Sequence, residues 1–318
     1  MPRTRLFFIT DVHGSERCFT KFLNSARFYK ANCIILGGDL TFKAIVPIVR
    51  KNDGKVYVTF LGENHVLEDE VKVKALEKRI RSVGFYPCYL SETQVQELTS
   101  NQKSQEELFN CLVEEMVKKW VALAEEKLRG TNIKCYISPG NDDSYLVDQH
   151  LMSSEYIIYP EEKIVQIDET HEMLTLGVSN ITPWHCFRDL DEGEIEKKLE
   201  KLVPQIRDIN KSIFNVHVPP YGTPLDLAPK LDETLKPVLS PAGGFEMTHV
   251  GSHALRKIIE KYQPMLGLHG HIHESRGKIR IGRTLCINPG SEYTEGILNG
   301  FLADITEEGI KDYLLTSG

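Results

Sequence analysis

The chain lacks most of the features that assign a function quickly. Its seven cysteines (18, 33, 88, 111, 135, 186 and 286) contain no C-x-x-C pair, so neither a zinc knuckle nor a dithiol redox motif is supported. No G-x-x-x-x-G-K-[ST] loop occurs, which removes a P-loop nucleotide hydrolase. No apolar run approaches the roughly 18 residues expected of a membrane span. The stretch Leu6 to Ile9, behind a basic N-terminus, is far too short for a signal-peptide core. There is no internal repeat and no low-complexity segment. Positive charge is not in excess: 38 Lys and Arg against 45 Asp and Glu leave a net charge of −7, and long nucleic acids are the substrates least expected. An odd cysteine count without a secretory signal points to a reducing, cytoplasmic setting. Cys33, Cys135 and Cys286 lie in apolar, strand-like runs and read as buried thiols.

What is present suits a sizeable folded core. At 318 residues the chain can hold one large core, or a core plus an insertion, and its 41% apolar and 26% charged content is ordinary for a soluble globular protein. Short apolar runs alternate with helical patterns. Leu6 to Thr10 and Cys33 to Leu36 read as strands, and between them Phe19, Phe22, Leu23 and Ala26 share one face of a helix with Ser15 as N-cap. Further strands are expected at Lys55–Phe60, Ile133–Ser138, Lys163–Ile167, Met173–Val178, Ser212–Val216 and Met265–Leu268, then in succession from about Lys278. Helices are expected near Asp191–Val203 and Ser252–Tyr262. This alternation is an α/β pattern. The stretch 62–130 differs: it is charged and helix-rich, with Glu68/Lys72, Glu70/Lys74 and Glu77/Arg81 at the favourable i,i+4 spacing. Phe109, Leu112, Met116, Trp120 and Leu123 form one stripe on its later helix. It reads as a helical insertion or cap within a single domain spanning 1–318. A Pro- and Gly-rich loop is expected over about 219–244, long enough to serve as a lid or binding loop.

Five short blocks stand at or near the ends of apolar runs: Asp11-Val12-His13, Gly38-Asp39, Gly140-Asn141-Asp142, His217 and Gly270-His271-Ile272-His273. In α/β sheets the crevice beyond the carboxyl ends of the strands is where sites form, so five loops can converge there. Residues two apart in an extended turn point the same way, which lets Asp11 and His13 reach one ion; His271 and His273 can bind jointly or serve one ion each. Each piece has a bland reading when taken singly. Gly-Asp and Asn-Asp are ordinary turn sequences, and a lone histidine is more often hydrogen-bonded in a core or loop. Together the blocks supply seven oxygen and nitrogen donors, an inventory that suits two divalent cations sharing one carboxylate.

The ordered series resembles the signature of the calcineurin-like metallophosphoesterases, from Phe7 to about Ser291. The stretches His217 to Leu225 and His269 to Glu274, with Asn288-Pro289-Gly290-Ser291, also resemble a prokaryotic subgroup of predicted phosphoesterases within that family. The resemblance implies a four-layer α/β/β/α sandwich with the metals at one sheet edge. It places Asp11, His13 and His273 on one metal and Asn141, His217 and His271 on the other, with Asp39 bridging them. A bridging hydroxide would then attack phosphorus in line. The expected substrate is a small phosphomono- or phosphodiester. The two ions are expected to be manganese, iron or zinc, with manganese favoured in vitro.

One position departs from the family pattern. Many members carry His after Gly-Asn, where it serves the leaving group; here the residue is Asp142, followed by Asp143. An ordinary aspartate is mostly ionised near pH 7, so Asp142 can be the catalytic acid only in an altered environment, and otherwise orients groups or caps the loop. His249 precedes a helix near the last block and is a candidate for touching substrate; a capping role is its alternative. His185 and Arg188 sit in an expected loop, where Arg188 either meets phosphate or lies in solvent. A different class of function also fits the fold: a non-catalytic interaction scaffold that binds through the charged insertion. Such a protein is expected to have lost donors, whereas all seven stand here.

Overall fold

A computed structural model describes residues 3–42, 44–241 and 243–318. Two six-stranded sheets form the centre. In the first, the strands Gly309–Ser317, Asn299–Thr306, Thr4–Ile9, Cys33–Gly37, Lys134–Ser138 and Ile157–Ile158 lie side by side. In the second the order is Gly277–Ile281, Thr284–Asn288, Leu266–Leu268, Ile213–Val216, Glu172–Leu176 and Ile164–Gln166. The inner strands of each sheet are parallel and buried on both faces, which is why they read as continuous apolar runs.

Period-2 alternation sorts their side chains into layers. Leu6, Phe8, Cys33, Ile35 and Tyr136 pack between the sheets against Met173, Ile213, Leu266, Leu268, Leu285 and Ile287. Phe7, Ile9, Ile34, Leu36, Cys135 and Ile137 point the other way, onto helices α1 (Glu16–Phe28), α4 (Gln102–Leu128) and α5 (Leu146–Met152). On the far side Leu174, Leu176, Phe214, Val216 and Cys286 meet α6 (Glu192–Leu202) and α7 (His253–Tyr262). The cores thus stack in the order helix, sheet, sheet, helix. Ser15 caps α1 by accepting the Cys18 N–H, and Ser252 caps α7 by accepting that of Leu255.

The stretch 62–130 is helix-rich as expected, but it also carries two strands, Glu63–Leu67 and Tyr86–Leu90. Ile45–Arg50, Val56–Phe60, Glu63–Leu67 and Tyr86–Leu90 form a separate four-stranded sheet, covered by α2 (Glu70–Ser82) around a core of Val46, Ile48, Val58, Phe60, Val73 and Ile80. Two of these strands carry a proline, which hides them in a sequence reading. Pro87 lies in an edge strand, and Pro47 lies where the neighbouring Val56–Phe60 strand does not pair, since that pairing starts at Val49. After α3 (Glu92–Ser100), α4 returns to the main core, where the Trp120 ring stacks on Phe19 at 4.1 Å. The 219–244 stretch is more ordered than a loop: Leu227–Pro229 pairs with Met247–His249, and backbone bonds continue out to Ser240 and Gly244. Among the described residues, no helix is long and apolar enough to cross a membrane.

Candidate metal centre

The loops that follow the parallel strands of both sheets meet at one end of the sandwich. Backbone bonds tie them together: Asp11 N–H donates to Gly38 O at 3.0 Å, His13 N–H to Asp39 O at 3.0 Å, and Gly270 N–H to His217 O at 2.9 Å. The Asp11 carboxylate accepts the His271 N–H at 3.1 Å, and the Asp39 Oδ1 accepts the Asp142 N–H at 3.0 Å. Asp11, His13, Asp39 and His271 all have positive φ, between 38° and 65°. Left-handed backbone costs a non-glycine residue about 1–3 kcal/mol and clusters at sites where geometry outranks stability. Glycine is required beside it: a Cβ on Gly140 would lie 2.2 Å from Asp39 Oδ1.

Two triads of donor atoms result, each within 4.8 Å of one another: Asp11, His13 and His273, and Asp39, His217 and His271. Asp39 Oδ2 faces both, 3.6 Å from His13 Nε2 and 3.3 Å from His217 Nε2. His273 Nε2 lies 3.5 Å from Asp11 Oδ1 and 3.1 Å from His13 Nε2. Asn141, the seventh donor, is buried, and its Nδ2 donates to Asp189 Oδ1 at 2.9 Å. Its Oδ1 has no hydrogen-bond partner among the described residues.

The hydrogen bonds around these rings select a ligand tautomer. His13 Nδ1 lies 3.0 Å from Thr41 O, and His217 Nδ1 lies 3.1 Å from Gly37 O. A ring nitrogen facing a carbonyl must carry the proton, which leaves Nε2 as a lone pair in the neutral imidazole. His271 Nε2 bonds to Ser179 Oγ at 3.0 Å, leaving Nδ1. The His217 lone pair then faces the Asp39 carboxylate, and two acceptors can stay this close only with a proton or a cation between them. Burial opposes ionisation of Asp39, but His217, His13 and His271 outweigh it and hold the carboxyl well below the usual range. Burial likewise opposes charging of His217, yet Asp39 and Asp11 outweigh it and push the imidazole up to about 10. His271 goes the other way: burial and the neighbouring His217 push it down to about 4. Cation-seeking carboxylates, an orphaned amide oxygen and imidazole lone pairs fit two divalent ions.

The other sequence candidates fall in different places. Asp142 sits at the rim, its Oδ2 4.0 Å from His13 Nδ1 and its Oδ1 3.1 Å from Cys186 Sγ. Asp143 is fully buried and accepts from Leu40, Thr41 and Gly140 N–H groups, tying two donor loops together. His249 Nδ1 bonds to Asp226 Oδ1 at 2.8 Å; Asp226 also accepts the N–H groups of Gly222, Thr223 and Gly251. This places His249 in a network that braces the 219–251 segment, with no hydrogen bond to the seven donors. Arg188 is not in solvent: it is buried, its backbone N–H donates to Asn141 O at 3.1 Å, and its guanidinium is committed to Asp148 Oδ1 at 2.6 Å and Asp143 O at 2.9 Å. His185 is exposed and has positive φ.

Three nearby residues carry no sequence signal. Ser179 orients His271, and Asp189 orients Asn141 while accepting N–H groups from Thr182 and Cys186. Tyr293 packs its ring 4.8 Å from that of His13 and 5.8 Å from that of His273. Burial, with Asp142, Asp11 and Asp39 nearby, pushes its phenol up to about 12.

No protein-family model matches the chain. A 154-residue stretch is 35% identical to the uncharacterised protein MJ1162 of Methanocaldococcus jannaschii, covering 48% of this chain and 61% of that relative, less than two thirds of its length. Among solved structures, TT1561 of Thermus thermophilus is similar with a TM-score of 0.55 at 14% identity, over 100% of this chain and 99% of that one. Another crystal structure is similar with a TM-score of 0.60 at 17% identity, over 99% of each chain. At that identity the likeness is one of fold alone, shared with these two structures over nearly the whole chain.

Proposed function

We propose that this protein is a metal-dependent phosphoesterase acting on small phosphomono- or phosphodiesters. Asp11, His13 and His273 would hold one divalent cation, Asn141, His217 and His271 a second, with Asp39 spanning the pair. The observation that carries this reading is the placement of Asp39 Oδ2 between two triads of donor atoms. Two such ions, when bound, lower the pKa of a water and offset charge on phosphoryl oxygens.

The chain's own residues prepare that chemistry. Thr41 O and Gly37 O fix His13 and His217 in the tautomer that binds. Asp39 divides its labour: Oδ1 holds the loop of Asp142, and Oδ2 faces the ions. Asp11 and Asp39 are buried, so their charge acts in a low-dielectric setting and is aimed at cations rather than spent on solvent. Asp142 replaces the histidine of many family members, and a carboxylate at the rim orients groups rather than protonating a leaving oxygen. Esters with good leaving groups are therefore the favoured substrates. The mixed carboxylate and imidazole donors accommodate manganese, iron or zinc.

The test is metal analysis of the purified protein, with hydrolysis of a panel of mono- and diesters under added manganese, alongside Asp39→Asn. Two divalent ions per chain and turnover are expected. The variant should keep the fold and lose more than about 100-fold in rate, beyond the range seen for outer partners of metal ligands. A protein that holds no ion and cleaves no ester defeats the reading. Full activity in Asp39→Asn would show that turnover does not depend on this centre and would defeat the role given to it.

A further inference from the structure

The aromatic residue packed against the donor rings lies outside the five sequence blocks. Tyr293 opens a short 3-10 turn, Tyr293–Glu295, just past Asn288-Pro289-Gly290-Ser291. Its ring packs on His13, His273 and Phe42, at centroid distances of 4.8, 5.8 and 5.9 Å. Ser291 anchors the segment by donating its hydroxyl to Asp11 O at 2.6 Å. The turn that carries Tyr293 is thus pinned to the same backbone that carries a donor carboxylate.

The hydroxyl is the informative part. Other buried or half-buried tyrosines use theirs: Tyr86 Oη accepts the Phe42 N–H at 3.1 Å, Tyr136 Oη donates to Gln166 O at 2.7 Å, and Tyr262 Oη donates to Glu200 Oε2 at 2.6 Å. Tyr293 is half-buried and stands in the field of Asp142, Asp11 and Asp39, and its hydroxyl makes no hydrogen bond to any described residue. An ordinary phenol, with a pKa of about 10, is a hydrogen-bond donor at neutral pH. A phenol hydroxyl with no protein partner beside the donor triads is free to give its hydrogen bond to an incoming group. Arg188, which from the sequence either meets phosphate or lies in solvent, is committed to Asp148 instead.

We propose that Tyr293 donates its hydroxyl hydrogen bond to a non-bridging phosphoryl oxygen of the ester cleaved at this centre. This rests on the phosphoesterase reading and deepens it by naming a neutral donor to the phosphoryl group. As a substrate contact it differs from a packing role, in which the ring alone would steady His13 and His273. The phenylalanine variant separates the two, because it keeps the ring and removes only the donor.

The experiment compares wild type, Tyr293→Phe and Tyr293→Ala in the manganese-loaded protein. The readouts are metal content, melting temperature, affinity for inorganic orthovanadate, and kcat and KM for a series of aryl and alkyl esters. Tyr293→Phe is expected to keep both ions and the wild-type melting temperature. It should bind vanadate about 10-fold more weakly and lose about 100-fold in kcat, the lower end for removal of one preorganised oxyanion donor, evenly across leaving groups. Wild-type vanadate affinity and kcat in the phenylalanine variant, with loss confined to alanine, would leave only a packing role and overturn the proposal. A loss that grows with leaving-group pKa would also overturn it, by moving the contact to the leaving oxygen. A wild type without ions or turnover sinks the phosphoesterase reading and this proposal with it; an active wild type matched by Tyr293→Phe sinks this proposal alone.

Discussion

Asp189 offers a test of how one ligand is held, because it touches only one of the two donor sets. Its Oδ1 accepts Asn141 Nδ2 at 2.9 Å, and its Oδ2 accepts the Thr182 N–H and the Cys186 N–H, both at 2.9 Å, and the Thr182 hydroxyl at 2.5 Å. An asparagine amide presents oxygen on one side and nitrogen on the other, and only the oxygen binds a cation. With Asp189 in place the nitrogen is occupied and the oxygen must face the centre. Asp189→Ala frees the amide to turn. Loss of an outer partner of a metal ligand costs about 10- to 100-fold in affinity, or about 1.4–2.7 kcal/mol. Asp11, His13 and His273 make no hydrogen bond with Asp189, so the loss should fall on one ion. Stepwise manganese titration against a chelator should show one site weakened by that factor and the other within about threefold of wild type. Asp189→Asn, which can offer a carbonyl oxygen to Asn141 Nδ2, should lie between. Melting of the metal-free proteins separates this from a general loosening of the 182–188 loop. Two unchanged sites in a folded Asp189→Ala protein, or two sites weakened equally, would refute the reasoning.

Two further outcomes follow from the geometry. Asp142→His should raise kcat for alkyl esters by more than about 10-fold, within the range of general acid catalysis, with little change for aryl esters; a leaving-group series measures it, and a flat response removes the role assigned to that position. Glu161 is buried beneath the Gly177 N–H, and burial pushes its carboxyl up to about 7, against the pull of that N–H and Arg188. The folded state therefore holds the proton more tightly than the unfolded chain. The stability this contributes is complete below about pH 4.5 and is lost as pH rises through about 7, at most about 3 kcal/mol. Urea midpoints at pH 5 and pH 8 should converge in Glu161→Gln relative to wild type; an unchanged difference would show that Glu161 titrates normally.

The donor blocks are legible because each is local: a short apolar strand, a glycine and a polar residue in a row announce a loop at a sheet's carboxyl edge. The strands that precede Asp11, Asp39, Asn141, His217 and His271 fall where the apolar runs put them, within a residue or two. What stays hidden acts across the chain. Asp189 reaches Asn141 over 48 positions and Ser179 reaches His271 over 92, so neither pairing is local in the sequence. Arg188 reads as exposed because its acidic partner, Asp148, is 40 positions away on α5. The strands Ile45–Arg50 and Tyr86–Leu90 are masked by proline at sites where the ladder has no need of an N–H.

The stretch expected to be a cap also proves harder to separate from the donors than its charged sequence suggests. The Ser15 hydroxyl, one residue past the Asp11–Gly14 turn, donates to Ser82 O at 2.6 Å at the end of α2. Gly84, with φ at +98°, lies so close to His13 that a Cβ there would meet His13 O at 2.1 Å. Beside this contact the Phe85 ring packs on Phe42 at 5.1 Å, and Phe42 meets His13 at 6.2 Å. Backbone contact of this kind is stiff: it transmits displacement rather than absorbing it, because no side chain intervenes to change rotamer. A shift of the small sheet and α2 against the main core must therefore be felt at His13, one of the donors that faces Asp39. The small sheet and α2 are thus braced against the loop that carries His13, and none of the seven donors lies on them.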